Sequence, residues 1–471
     1  MKRLLCLIIA TILMLGSASP AFAVVNPLSA QNNRFGIHIL NEADIDKAAE
    51  LVNSQGGDWG YTTIVIQDND KDREKWQKIF DKLSEKHLIP IVRIATHGEG
   101  QNWVKPSVGE APAWASFLNS LTWVVKNKYI VLFNEPNHAK EWSGVISPSE
   151  YAEVLTTYAK ALKAKDPKFF VLNAGFDASA PNGPSTKDEQ NFLSGMLSHN
   201  PNVFNYLDGW VSHSYPNPGF SSSPANSGRG SVRTFDWELS VLRSLGVKKD
   251  LPVFITETGW DTKQVSQKLA ANYYQQAFLE AWNDPRIIAI TPFVLNYQAE
   301  PFSNFSWKEK DSFKSQYQTV QSLEKIAGNP ERLEKMAIPD EWLSTLTTST
   351  TYLQTFEIEN VGQIVWTEEK YYLTIESTGV QNHLLPYAFK GIKPRDKQII
   401  ALSLIAPDEP GTYEVKVNLV KEGSILHTIT KTVEVKLPAQ AETENLEKPK
   451  PFWKKLNPLN LLSYLRSILL G

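Results

Sequence analysis

Cysteine is almost missing from the 471-residue chain: there is one, Cys6, near the start. None follows it, which excludes disulfides, thiol catalysis and Cys-ligated zinc from the remainder. Nor is charge of one sign in excess. Lys and Arg number 48 against 51 Asp and Glu, a net charge of −3, so the basic surplus of a nucleic-acid protein is absent. No apolar run reaches the roughly 20 residues that span a bilayer. A Gly-rich GxGxxG turn is missing after the first apolar strand-like run, which removes the dinucleotide-binding signature.

What is present is globular material. Hydrophobic residues are 42% and charged residues 21%, ordinary values that exclude wholesale disorder. At roughly 100–200 residues per domain the length predicts two or three domains. The 14 Trp residues suit flat ligand faces as well as a core.

The first 23 residues read as a secretory leader: Lys2 and Arg3, an apolar core over 4–15, and an Ala21, Phe22, Ala23 cleavage site. The expectation is therefore an exported protein, extracellular, cell-surface or periplasmic. At the other end, residues 438–451 read as a polar, Pro-bearing linker. Residues 452–471 read as an amphipathic tail, with Leu459, Leu461, Leu462, Leu465, Ile468 and Leu469 on one side and Lys454, Lys455 and Arg466 as cations. That tail is expected to lie on a membrane or envelope surface, or to dock on the protein itself.

From residue 34 to 330 one rhythm recurs. Apolar runs at 34–40, 61–67, 89–96, 129–134, 169–174, 207–213, 252–257 and 287–295 alternate with helical periodicity at 43–54, 71–86, 111–126, 149–166, 188–199, 232–245, 266–283 and 319–327. Ser147 and Pro148 open the fourth helix and Gly246 follows the sixth. Runs that are apolar throughout fit parallel strands covered on both faces. Eight such units predict an α/β fold, a (β/α)8 barrel, over 24–345. Over 350–437 alternation replaces helical periodicity, and turn clusters separate the runs. This predicts a small all-β sandwich of immunoglobulin-like size.

In such barrels the working residues stand at the C-terminal strand ends. The fourth run ends at Asn134, Glu135, Pro136 and Asn137, and the seventh at Glu257. Two carboxylates on one face are what glycosidic cleavage requires, one to protonate the leaving oxygen and one to meet the developing oxocarbenium ion. Arg93, inside the apolar third run, should project into the mouth and pair with the Glu257 carboxylate. Glu135 in turn must carry a proton near neutral pH.

Asn134, Glu135 and Pro136 with Glu257 resemble the clan of retaining (β/α)8 glycoside hydrolases, over about residues 34–330. Asn137 with Trp142 is similar to the version in family 39-like enzymes. The resemblance implies Glu135 as general acid/base, Glu257 as nucleophile and Asn134 as donor to the sugar 2-OH. It also implies His213 and Tyr215 beside the site, with Tyr215 hydrogen-bonding the nucleophile. Clan members carry a Trp after the eighth strand; here Phe293 or Tyr297 stands in, with Trp260 and Trp103 as further candidate sugar platforms. His38, ending the first run, lines the pocket or belongs to the core. His97 and Glu99 lack a third ligand spaced to complete a metal site, and the loop reads as polar. No cofactor is implied, since two carboxylates suffice. The expected function is retaining hydrolysis of a β-linked oligo- or polysaccharide. The alternatives are transglycosylation by the same residues and an inactive, carbohydrate-binding barrel; the complete carboxylate pair separates the last from the first.

Overall fold

The computed structural model describes residues 24–339 and 342–438. The leader at 1–23, all but the first residue of the 438–451 linker, and the 452–471 tail lie outside the described residues. Among the described residues no helix is long and apolar enough to cross a membrane.

The barrel strands are β1 (Gly36–His38), β2 (Gly60–Gln67), β3 (Leu88–Ala95), β4 (Lys128–Leu132), β5 (Phe169–Leu172), β6 (Trp210–His213), β7 (Val253–Glu257) and β8 (Ile287–Ile290). β1 to β5 form one parallel sheet and β6 to β8 another. Parallel bridges from Leu172 to Gly209 and from Phe35 to Ile290 join the two sheets at both seams, so the eight strands close. The helices between them are α1 (Ile45–Val52), α2 (Arg73–Glu85), α3 (Ala111–Asn119), α4 (Pro148–Lys165), α5 (Glu189–His199), α6 (Thr234–Ser244) and α7 (Gln267–Gln276), with α8 (Ser315–Gln321) after β8. Several start on side-chain caps: Asp72 accepts from the Glu74 and Lys75 amides, and Ser147 from that of Glu150.

The barrel interior is stratified. Near the strand starts Tyr129, Phe170 and Phe254 pack with ring centroids 5.0–5.7 Å apart, an apolar floor in which each buried side chain contributes about 1.5–3 kcal/mol. Higher up, the hydroxyls of Thr63 and Thr291 meet at 2.7 Å. At the top the lining becomes ionic, with Arg93, His213 and Glu257.

Three elements end differently from expectation. α3 stops at Asn119 because Trp123 turns inward, its indole donating to the Leu118 carbonyl at 2.9 Å, and packs on Phe80. β8 stops at Ile290 because Pro292, two residues on, has no N–H for a ladder. α8 lies earlier than 319–327 because the Lys325 ammonium caps the carbonyls of Val320, Gln321 and Leu323.

The second domain is a sandwich of two four-stranded sheets. One runs Met336–Ala337, Thr351–Asn360, Lys397–Ile405, Gln381–Leu384; the other Thr345–Thr347, Ser424–Lys436, Gly411–Lys421, Tyr371–Ser377. Phe356, Ile358, Leu402, Leu404, Val415, Val417 and Val433 fill the space between them. It begins before residue 350, because the short edge strands at 336–337 and 345–347 already belong to it. The sandwich meets the barrel at its base: Gln363 donates to the Val125 carbonyl just before β4, and Arg395 pairs with Asp81 of α2, each at 2.7 Å.

Candidate active site

Glu257 is the last residue of β7 and His213 the last of β6, and the two pair across a break in register between Ser212 and His213. Glu135 stands three residues beyond β4. The chain reaches it through two left-handed residues, Phe133 (φ +73°) and Glu135 itself (φ +29°), and the Glu135 amide donates to the Gly175 carbonyl at 3.0 Å. A non-glycine residue held at positive φ is a strained position that its surroundings must enforce. Gly175 is part of that enforcement: a Cβ there would lie 2.1–2.6 Å from the His213 ring. Asn137, expected near the acid, is buried. It locks the loop instead, donating to the Asp177 and Lys187 carbonyls.

The structure brings the expected residues together. One oxygen of Glu135, one of Glu257 and a ring nitrogen of His213 all lie within 4.8 Å of one another. Arg93 donates to Glu257 Oε1 at 2.5 Å and to Asn134 Oδ1 at 2.6 Å. Tyr215 donates to Glu257 Oε2 at 3.2 Å, so both oxygens of this carboxylate are held. His213 Nδ1 lies 2.9 Å from Glu135 Oε1 and 3.9 Å from Glu257 Oε2. His38 is fully buried, with Nδ1 4.0 Å from Glu257 Oε1, so it belongs to the core beneath that carboxylate.

These contacts set the charges. Burial favours neutral Glu257, but the positive charges of His213 and Arg93 outweigh it and hold the carboxyl well below its ordinary range. Burial lowers His213, yet Glu257 and Glu135 together raise it above the ordinary imidazole value. Burial, with the Arg93 charge, pushes His38 down to about 3, so it is neutral. Burial and the two carboxylates keep the Tyr215 phenol protonated. Glu135, His213 and Glu257 are also a possible donor set for a cation. The Arg93 guanidinium already sits on the same Glu257 carboxylate, and a divalent ion would be repelled by it.

Arg93, Asn134, Glu135, Tyr215 and Glu257 border a cleft of about 690 Å³, whereas His213 and His38, expected among the substrate contacts, are buried and outside its lining. One wall is aromatic: Tyr215, Phe220, Phe293, Phe302 and Phe305. The lining also includes the polar residues Gln101, His138, Lys140, Glu141 and Asp177, together with Trp103. Of the expected platforms, Phe293 and Trp103 line the cleft. Trp260 does not: it is buried beside Tyr273 and Tyr274, and its indole donates to the Ser222 carbonyl at 2.8 Å. Tyr297 is outside the lining, packed on Phe302. Trp142 is likewise a packing residue, its indole on Glu150. His97 pairs with Asp68 at 2.9 Å.

Sequence reasoning missed the His138–Asp177 pair, joined at 2.8 Å, and Glu141. Both His138 and Glu141 follow Asn137 within one short 3-10 turn, and a polar run directly after the acid was the available signal. It also missed Phe220, Phe302 and Phe305, which come from loops with no periodicity.

No family model matches the chain, and a search of curated proteins finds no match. Among solved structures, the chain is similar to a family 39 glycoside hydrolase from Bacteroides cellulosilyticus WH2, at 13% identity and a TM-score of 0.44, over 81% of this chain and 82% of that one. It is also similar to a GH128 (subgroup II) endo-β-1,3-glucanase from Sorangium cellulosum, at 16% identity and a TM-score of 0.42, over 62% and 98% of the two chains. A GH5_18 structure from Streptomyces cattleya in complex with GlcNAc aligns at 14% identity and a TM-score of 0.44, over 68% and 85%.

Proposed function

We propose that this protein is an exported retaining glycoside hydrolase that cleaves a β-linked glycan by double displacement. The observation that carries the reading is the separation of the two carboxylates, whose nearest oxygens lie within 4.8 Å. Retaining enzymes hold the pair at about 5–5.5 Å, whereas inverting enzymes need about 6.5–9.5 Å to admit a water. Glu257, ionised and held at both oxygens, attacks the anomeric carbon. Glu135 gives its proton to the departing glycosidic oxygen. The glycosyl-enzyme ester then forms with inverted configuration. Glu135, now a carboxylate, takes a proton from water, whose oxygen displaces Glu257 and restores the starting configuration. A sugar hydroxyl in place of water would give transglycosylation through the same ester.

The presence of both carboxylates, each with its charge partner, favours an enzyme over an inactive binding barrel. The reading takes export from the leader sequence and a surface-associating role from the 452–471 tail. The test is a screen of the protein from residue 24 onward on aryl β-glycosides and β-glucans, with the first-formed anomer read by proton NMR. The β-anomer is expected first; an α-anomer first excludes double displacement, and inertness on every β-glycoside excludes the substrate class.

A further inference from the structure

We propose that Glu141 recognises the substituent at C2 of the sugar held over Glu257, and that the preferred glycan carries a free amino group there, as in a β-linked 2-amino-2-deoxyhexose. This rests on the glycosidase reading above.

Glu141 ends the 3-10 turn Ala139–Glu141 and borders the cleft. Its side chain is 10% exposed, while its cationic neighbour Lys140 is 3.7 Å away and 57% exposed. A partner so open to solvent contributes little. Asn134 lies near enough to Glu141 to act on its charge, and both border the cleft. Because Asn134 Oδ1 accepts from Arg93, its amide NH2 remains as the donor for Glu141 and for a substrate in the cleft. Under the glycosidase reading that amide meets the sugar's C2 substituent. Glu141 therefore stands at the same carbon.

The charges around it point the same way. Five carboxylates border the cleft: Glu135, Glu141, Asp177, Glu257 and Asp261. Among the described lining residues, Arg93 is committed to Glu257 and His138 to Asp177, which leaves Lys140 at the rim. A uronate would find no buried cation to receive it, whereas an ammonium would find a buried carboxylate. Burial and the negative charge of Glu135 push the Glu141 carboxyl up; an arriving ammonium reverses that and gains a desolvated ion pair. It also needs one. A positive C2 group opposes the positive charge that builds at C1 in the transition state, and a carboxylate in reach offsets it.

The experiment compares 4-nitrophenyl 2-amino-2-deoxy-β-glucoside, its N-acetyl form and the plain β-glucoside on wild type, Glu141→Gln and Glu141→Asp. Wild type should prefer the amino glycoside. Glu141→Gln should lose about tenfold or more in kcat/KM on it, the size of a lost charged hydrogen bond, and several-fold less on the plain glucoside. Glu141→Asp should retain the preference. Equal losses on the amino and plain glycosides, or wild-type preference for another C2 group, overturn the inference. If wild type cleaves none of the three but is active on another β-glycoside, the inference is overturned; if it is inert on all β-glycosides, the glycosidase reading fails. Calorimetric titration of glucosamine pentamer then decides this point separately: weaker binding by Glu141→Gln supports it and equal binding overturns it.

Discussion

His213 Nδ1 lies 2.9 Å from Glu135 Oε1, and the contact ties the charge of the imidazole to that carboxyl. His213 is raised above its ordinary value by Glu257 and Glu135, against burial. The imidazolium should therefore lose its proton above about pH 6.5, the ordinary imidazole value. Glu257 is held low, so it stays ionised below about pH 4.3, the ordinary Glu value. The pH profile of kcat/KM should be bell-shaped, with its acid limb below the ordinary carboxylate range and its alkaline limb above that of histidine. Arg93→Met should move the acid limb upward, because it removes a positive charge from Glu257. An acid limb that stays put in Arg93→Met counts against Glu257 as the group titrating there.

Glu257→Ala should lose about 10⁴-fold or more in kcat while keeping its circular dichroism spectrum, since the covalent step has no nucleophile. Azide should restore cleavage of an activated aryl glycoside and give the α-glycosyl azide. A glycosyl azide of β configuration, or wild-type turnover, would show that another group attacks.

Glu135→Ala should lose about 10²–10⁴-fold on substrates with poor leaving groups. An activated 2,4-dinitrophenyl glycoside, which departs without a proton, should lose much less in the glycosylation step. A Brønsted plot across a phenol series should steepen relative to wild type; the same slope in both would remove Glu135 from the role of acid.

Gly175→Ala places a methyl group inside the present position of the His213 ring. The ring must move, and with it the Glu135 contact. A displacement of about 1 Å costs on the order of 10²-fold in rate. The alkaline limb should shift downward as His213 leaves Glu135, a change that general destabilisation would not produce. Adding His213→Ala should restore much of any lost melting temperature, because the clash disappears.

A second pair of carboxylates lies behind the barrel wall. Glu189 opens α5 and Glu238 sits on α6; both are fully buried, and Glu238 accepts from the Trp210 indole at 3.0 Å. Burial, with the neighbouring charge, raises Glu189 far above its ordinary value, and burial pushes Glu238 up to about 7. Raised acids bind protons more tightly in the folded state, so their contribution is complete below about pH 4.3 and is lost as pH rises through the folded value. Glu189→Gln should flatten the fall in melting temperature between about pH 5 and 8. An unchanged slope would mean the pair does not titrate on unfolding.

The barrel was legible because its strands are mostly apolar, and the two carboxylates because chemistry places them at strand ends. Arg93 was legible for the opposite reason, as a charge in an apolar run. Trp260 misled because three residues past Glu257 looks close to the cleft, whereas the chain carries the ring back into the core against Tyr274. The aromatic wall of Phe220, Phe302 and Phe305 was hidden, since its members meet only when two loops distant in sequence converge. Met336 and Ala337 form a strand too short to show alternation, and the sandwich therefore began earlier than its pattern.

The sandwich grips the barrel beneath β4, through Gln363 and Arg395, while the cleft opens at the other end of the strands. Under the proposed function, a glycan in the cleft would meet barrel loops, those bearing Trp103, Phe220 and Phe302 among them, at the end of the barrel away from the second domain. Shortening those loops, and not trimming the sandwich, is the route to a different chain-length profile.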